Sequence, residues 1–230
     1  MSKEKLYIFD TTLRDGAQTQ GVDFSIDDKY KISISLDNLG VDYIEGGWPG
    51  ANPTDTEFFQ KNHKYRNAKL TSFGMTKRSG RSADNDTGLS ALLNANTPAV
   101  CLVGKSWDFH VDIALDISNE ENLENIKESA KHFVKADKEF MFDAEHFFDG
   151  YKANSNYAVE CIKTAYDQGA RWVVLCDTNG GTLPHEITKI VSEVAKVIPG
   201  NNLGIHAHND TGNAVSNSLA AVLSGVRQVQ

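Results

Sequence analysis

Eight short apolar runs, separated by longer amphipathic or small-residue stretches, constrain this chain more than any other feature. The runs span residues 6–11, 43–47, 70–73, 99–104, 140–142, 172–177, 203–208 and 226–230. Continuous apolar runs of this length suit strands covered on both faces, the condition of a parallel sheet. Helix-like segments lie between them at 25–39, 122–136, 155–168, 184–197 and 212–225. Ser25 stands at a cap position with Asp28 three residues on, and Gly40 follows the first helix. Pro184 opens the fourth, which stops before Pro199 and Gly200. Strand–helix alternation at intervals of about 25 to 35 residues implies right-handed βαβ units. A doubly wound open sheet and a (β/α)8 barrel both fit. The strand count favours the barrel, and no GxGxxG follows the first run. The expected fold is therefore α/β, a (β/α)8 TIM barrel, forming one domain over residues 1–230.

Composition sets the outer limits. A formal net charge of −8 argues against a nucleic-acid binder or a surface-charge membrane binder. Hydrophobic residues at 40% and charged residues at 23% are ordinary for a globular protein, which excludes disorder, collagen and coiled coil as whole-chain descriptions. Cys101, Cys161 and Cys176 are odd in number and form no CxxC pair, so buried thiols are expected rather than disulfides or a zinc knuckle. The first apolar run is too short for a signal peptide, and no stretch approaches the roughly 20 apolar residues of a membrane span. The expectation is a cytoplasmic protein with small-molecule partners, neither nucleic acid nor membrane.

In a parallel barrel the chemistry gathers at the C-terminal ends of the strands. The first run ends in Arg14, Asp15 and Gln18, with Gly16 permitting a tight turn. Arg14 offers a fixed cation and Asp15 a hard-oxygen metal ligand; a surface turn with an Asp cap would use the same residues. The seventh run ends in His206 and His208. Alternation along a strand puts both on one face, where two imidazoles can reach one divalent cation. Imidazole with carboxylate suits Zn²⁺, Mn²⁺ or Fe²⁺. One core histidine and one surface histidine is the plainer alternative, but Asn209, Asp210 and Gly212 directly after the pair favour metal binding. No GxSxG elbow supports a nucleophilic mechanism. Three more strand ends are polar: Glu45–Gly50, Asp143–Asp149 and Asp177–Gly181. Carboxylates there can orient a substrate or relay a proton, and Thr178 can donate to a substrate carboxylate. Trp48, Phe147, Phe148 and Tyr151 suit pocket walls or a lid as well as they suit a core. His63, His110, His132, His146 and His185 are read without a functional role.

Two of these segments resemble a known family. Leu13, Arg14, Asp15, Gly16 and Gln18, with Lys29 further on, are similar to the first signature of the 2-isopropylmalate/homocitrate/citramalate synthases, in the DRE-TIM metallolyase superfamily. Leu203, His206, His208, Asn209, Asp210, Gly212, Ala214 and Ser216 resemble their second. The segments around Glu45, Glu145 and Thr178 look most like the citramalate synthase branch. The resemblance covers essentially the whole chain. It implies an acyltransferase that runs a metal-dependent Claisen-type condensation of acetyl-CoA with an α-keto acid, pyruvate for that branch, giving (R)-citramalate on the way to isoleucine. It implies Asp15, His206 and His208 as ligands of Zn, Mn or Mg. Arg14 would polarise the keto oxygen, Glu145 would join proton transfer, and Gln18 and Thr178 would contact substrate. A homodimer is implied for the full-length protein.

The family's fourth ligand, an asparagine after strand eight, and a catalytic histidine from its C-terminal part have no counterpart in these 230 residues, fewer than the roughly 250 typical of such a barrel. The expectation is a barrel truncated within or just after strand 8, part of a longer enzyme, with its wall open beside the metal site. Competing readings are 2-isopropylmalate or homocitrate synthesis, an HMG-CoA-lyase-like or aldolase carbon–carbon lyase, and an inactive metal- and acyl-CoA-binding fragment.

Overall fold

The computed structural model describes residues 4–61 and 64–230. His63 lies outside the described residues. Eight strands run parallel in sequence order: β1 (Tyr7–Asp10), β2 (Tyr43–Gly47), β3 (Lys69–Met75), β4 (Ala99–Lys105), β5 (Glu139–Glu145), β6 (Trp172–Asp177), β7 (Leu203–Ala207) and β8 (Gln228–Val229). They form a closed barrel. The expected open wall is therefore corrected. Gln228 and Val229 pair with Gly204 and Ile205 of β7 on one side and with Tyr7 and Ile8 of β1 on the other. The two strands approach closely at this seam, where a Cβ on Gly204 would lie 2.2 Å from the Gln228 side-chain oxygen.

The helices are α1 (Ile26–Leu39), α2 (Pro53–Gln60), α3 (Thr87–Asn94), the single turn α4 (Asp108–His110), α5 (Asn119–Lys135), α6 (Phe147–Ala153), α7 (Ser155–Asp167), α8 (Pro184–Val194) and α9 (Ala214–Leu223). α1 starts in a full capping box between Ser25 and Asp28 and stops at Gly40, whose φ of 90° is the left-handed end such a stop requires. No helix among the described residues is long and apolar enough to cross a membrane.

Strand alternation divides the core in two. Phe9, Tyr43, Cys101, Met141, Trp172 and Val174 fill the barrel interior. Their neighbours Val100, Leu102, Phe140, Phe142, Leu175 and Ile205 point outward against Ile126, Phe133, Ile162 and Val191 of the helices. Each such side chain contributes roughly 1.5–3 kcal/mol by leaving water. Phe147 and Phe148 are fully buried in the outer layer, so they are core rather than lid. Trp172 closes the floor, its indole N–H donating to the Tyr43 hydroxyl at 3.1 Å. With the barrel interior packed, the polar strand ends border open space at the rim.

Candidate active site

Four of the residues singled out in the sequence meet at that rim. Asp15 lies in the turn after β1; His206 and His208 sit at the end of β7, their ring centroids 5.0 Å apart. One donor atom from each of Asp15, His206 and His208 lies within 4.8 Å of the others. Arg14 stands beside them. Its Nε donates to Glu45 Oε2 at 2.6 Å, and a terminal nitrogen donates to Asp15 Oδ1 at 3.1 Å. The guanidinium also lies 4.0 Å over the Phe73 ring. It is thus fixed in position and orientation from three sides.

The donor set suits a divalent cation, and the hydrogen bonds around His206 give the reason. Gln230 donates its amide N–H₂ to Asp143 Oδ1 at 3.3 Å, which turns its oxygen toward His206 Nδ1 at 2.8 Å. Nδ1 therefore carries a proton, and Nε2 faces Asp15 Oδ2 at 3.4 Å. A lone pair facing a carboxylate oxygen is stable only with a cation or proton between them. An outer acceptor that fixes the imidazole tautomer is the usual support of a metal-binding histidine.

The electrostatics favour positive charge, from a proton or a cation, at that position. Burial pushes His206 down, but Asp15, Asp143 and Gln230 outweigh it and raise its pKa. The hydrogen bond from His206, with help from Arg14, holds Asp15 at about 2, against the opposing effect of its own burial. Burial and the neighbouring His206 lower His208, keeping it neutral and able to ligate. Beneath the triad, Glu45, Cys101 and Asp143 converge in the barrel interior. Burial raises both carboxyls. Glu45 Oε1 is buried without a hydrogen-bond partner. Alternation places Asp143 and Glu145 on the inward face of β5; that Asp143, Glu45 and Gln230 would form the floor of the site was not assigned from sequence.

The remaining predicted residues lie further round. Glu145 pairs with Lys105 and faces a cavity of about 630 Å³, also lined by Trp48, Met75, Lys77 and Val103. Thr178 follows β6, and its hydroxyl accepts from the His146 amide at 2.9 Å. Gln18 is exposed on the wall of a second cavity of about 410 Å³, shared with Arg14, Trp48 and Lys29. Among the described residues, no hydrogen bond joins Glu145, Thr178 or Gln18 to the triad. Asp177 serves the scaffold instead. It accepts from the Thr182 hydroxyl and from Asn217, tying the loop after β6 to α9. Lys29 is a structural strap, donating to the Gly46 carbonyl and pairing with Asp55. All three cysteines are free and buried, as expected.

A family model described as HMGL-like matches residues 5–230. The chain is 54% identical over 228 residues to an (R)-citramalate synthase of Aquifex aeolicus, covering 98% of this chain and 43% of that one. It is 50% identical to an (R)-citramalate synthase of Geobacter sulfurreducens, covering 100% and 43%. A 2-isopropylmalate synthase of Sediminispirochaeta smaragdinae is 34% identical, with coverage of 98% and 45%. The chain thus spans less than half the length of these relatives. Among solved structures, an HMG-CoA lyase of Bacillus subtilis superposes with a TM-score of 0.82 at 18% identity, covering 98% of this chain and 76% of that one, which supports the fold alone.

Proposed function

The chain belongs to the HMGL-like family, and from that premise we propose that it is the barrel part of a citramalate synthase, an acyltransferase joining acetyl-CoA to pyruvate. The observation that carries this reading is the locked Arg14 guanidinium beside the Asp15, His206 and His208 donor set. A fixed cation next to a divalent-ion site is what a 2-oxo acid needs to become electrophilic at its keto carbon. Identity of about half the residues to citramalate synthases supports pyruvate over larger keto acids.

Asp15, His206 and His208 would hold a divalent ion, which would supply Lewis acidity and a template for the keto acid when bound. Arg14 contributes a donor whose geometry is set before substrate arrives, so developing negative charge on the keto oxygen is met without reorganisation. Glu145, paired with Lys105 on the wall of the larger cavity, stands where an acyl thioester has room, and belongs to the proton-transfer network. A base of that network takes a proton from the acetyl methyl; the resulting carbanion bonds to the keto carbon, the C=O π pair moves to the keto oxygen, and that oxygen takes up a proton. Water then cleaves the thioester, releasing citramalate and free CoA. The Thr178 hydroxyl holds the keto-acid carboxylate, and Gln18 contacts substrate from the edge of the site.

The test is a panel of pyruvate, 2-oxoisovalerate and 2-oxoglutarate with acetyl-CoA, run on the full-length gene product with thiol detection. Pyruvate is expected to give the highest kcat/KM. Preference for 2-oxoisovalerate would move the reading to 2-isopropylmalate synthesis. Absence of thiol release with every keto acid would remove it.

A further inference from the structure

His146, which the sequence left without a role, directly follows Glu145 and begins the turn into α6. Its backbone is left-handed, with φ 55° and ψ 33°. That conformation is costly for a residue with a side chain, so the surrounding contacts must hold it there. The His146 amide donates to Thr178 Oγ1 at 2.9 Å. The His146 ring meets Asp149 through Nδ1 and Oδ2 at 3.1 Å. The same Asp149 oxygen accepts from Asn179 Nδ2 at 2.9 Å. On its far side the ring is wedged edge-on against His110, centroids 4.4 Å apart, with Trp107 beyond. α6 also approaches the segment after β4 closely, since a Cβ on Gly150 would lie 2.5 Å from the Ser106 carbonyl oxygen.

Thr178 is therefore gripped twice. Its oxygen takes the His146 N–H, and its neighbour Asn179 is tied to Asp149. We propose that His146 and Asp149 are positioning residues for Thr178, and that they aim its hydroxyl proton at the carboxylate of a 2-oxo acid. A hydroxyl has one proton and two acceptor lone pairs. With one lone pair engaged by a fixed amide, the O–H turns away from that amide and is polarised by it. The proton is left for an anionic acceptor at the mouth of the barrel. The left-handed backbone at His146 is thus tied to a hydroxyl with a defined direction. This inference rests on the keto-acid reading above.

Two measurements on the full-length protein separate the device from that reading. The first is amide hydrogen exchange at His146. Thr178→Val, which keeps the shape and removes the hydroxyl, is expected to speed exchange there, and Thr178→Ser to restore it. Unchanged exchange in Thr178→Val would overturn the link between the two residues. The second is pyruvate affinity and KM in a cycle of Asp149→Ala and Thr178→Val. Asp149→Ala alone is expected to weaken pyruvate about tenfold, the scale of one lost hydrogen bond, leaving KM for acetyl-CoA unchanged. In the Thr178→Val background the same change is expected to have no further effect. His146→Asn, which tolerates the left-handed backbone and can still meet Asp149, is expected to stay within about threefold of wild type. An equal loss in both backgrounds would show Asp149 acting elsewhere and overturn the proposal. Wild-type protein that neither binds pyruvate nor releases thiol would refute the keto-acid reading, leaving the exchange result to decide the contact itself.

Discussion

Replacing Lys29 by methionine tests the view that it holds the rim together rather than serving chemistry. Lys29 is 3% exposed, in α1. It donates to the Gly46 carbonyl at 3.0 Å and pairs with Asp55 at the start of α2. Asp55 also accepts from the Trp48 amide at 2.8 Å and from Asn52 at 3.0 Å. Gly47 lies against it with φ 137°, and a Cβ there would come within 2.5 Å of the carboxyl carbon. One ion pair thus joins α1, the end of β2 and α2, and holds the loop that carries Trp48. Removing one partner of a buried pair costs about 3–5 kcal/mol. Two donors would remain to Asp55, so the lower end applies, about 3 kcal/mol. At roughly 2–4 °C per kcal/mol for a chain of this size, Tm should fall by about 6–12 °C. Lys29→Met with Asp55→Asn removes the stranded charge and keeps an acceptor for the Trp48 amide. That double variant should recover about 1–2 kcal/mol. Urea unfolding of the 230-residue chain, followed by circular dichroism and tryptophan fluorescence, measures both. A Lys29→Met chain within about 1 kcal/mol of wild type, or a double variant less stable than the single one, would refute the reasoning.

Two further outcomes follow from the same structure. Mn²⁺ or Zn²⁺ at a hundredfold excess over its Kd should stabilise the chain by about 2.7 kcal/mol, and Asp15→Asn or His208→Ala should abolish the shift in a thermal melt; an equal shift in those variants would place the ion elsewhere. Asp37 is buried and accepts from the amides of Arg66, Asn67 and Ala68. Burial opposes its ionisation, but these donors prevail and hold its pKa below the usual carboxylate value. Its contribution is therefore full above an unfolded pKa of about 3.9 and fades as pH falls through the lower folded value. Asp37→Asn should be less stable near neutrality and should lose less on acidification, as read by unfolding midpoints against pH.

Period and punctuation made the barrel legible. β2 and β6 begin and end where the apolar runs do, because both are buried along their whole length. The runs found for β3 and β5 were shorter than the strands, since Lys69, Met75, Glu139 and Glu145 carry the pairing past the apolar centre. α2 was overlooked although Asn52 before Pro53 is a readable helix start. α6 was hidden because its aromatic pair and Gly150 imitate a loop, whereas the glycine answers to the Ser106 carbonyl across the rim. His206 and His208 could be paired from strand alternation alone, and Asp15 joined them as a ligand only through the family resemblance. The floor of the site could not be assigned, because Glu45, Asp143 and Gln230 meet only once the barrel register is fixed. His146 was opaque for the same reason: its main chain, not its ring, makes the contact to Thr178.

The seam at β8 has a mechanical consequence. This strand pairs with β1 on one side and β7 on the other. Asp15 hangs from the first of these and both histidines from the second. A ligand shared among them spans the joint as a hoop spans a barrel, tying the first strand to the seventh past the eighth. Separation of β1 from β7 should therefore be resisted by whatever occupies the triad. Binding at the triad and closure of the wall are then linked, so that either one favours the other.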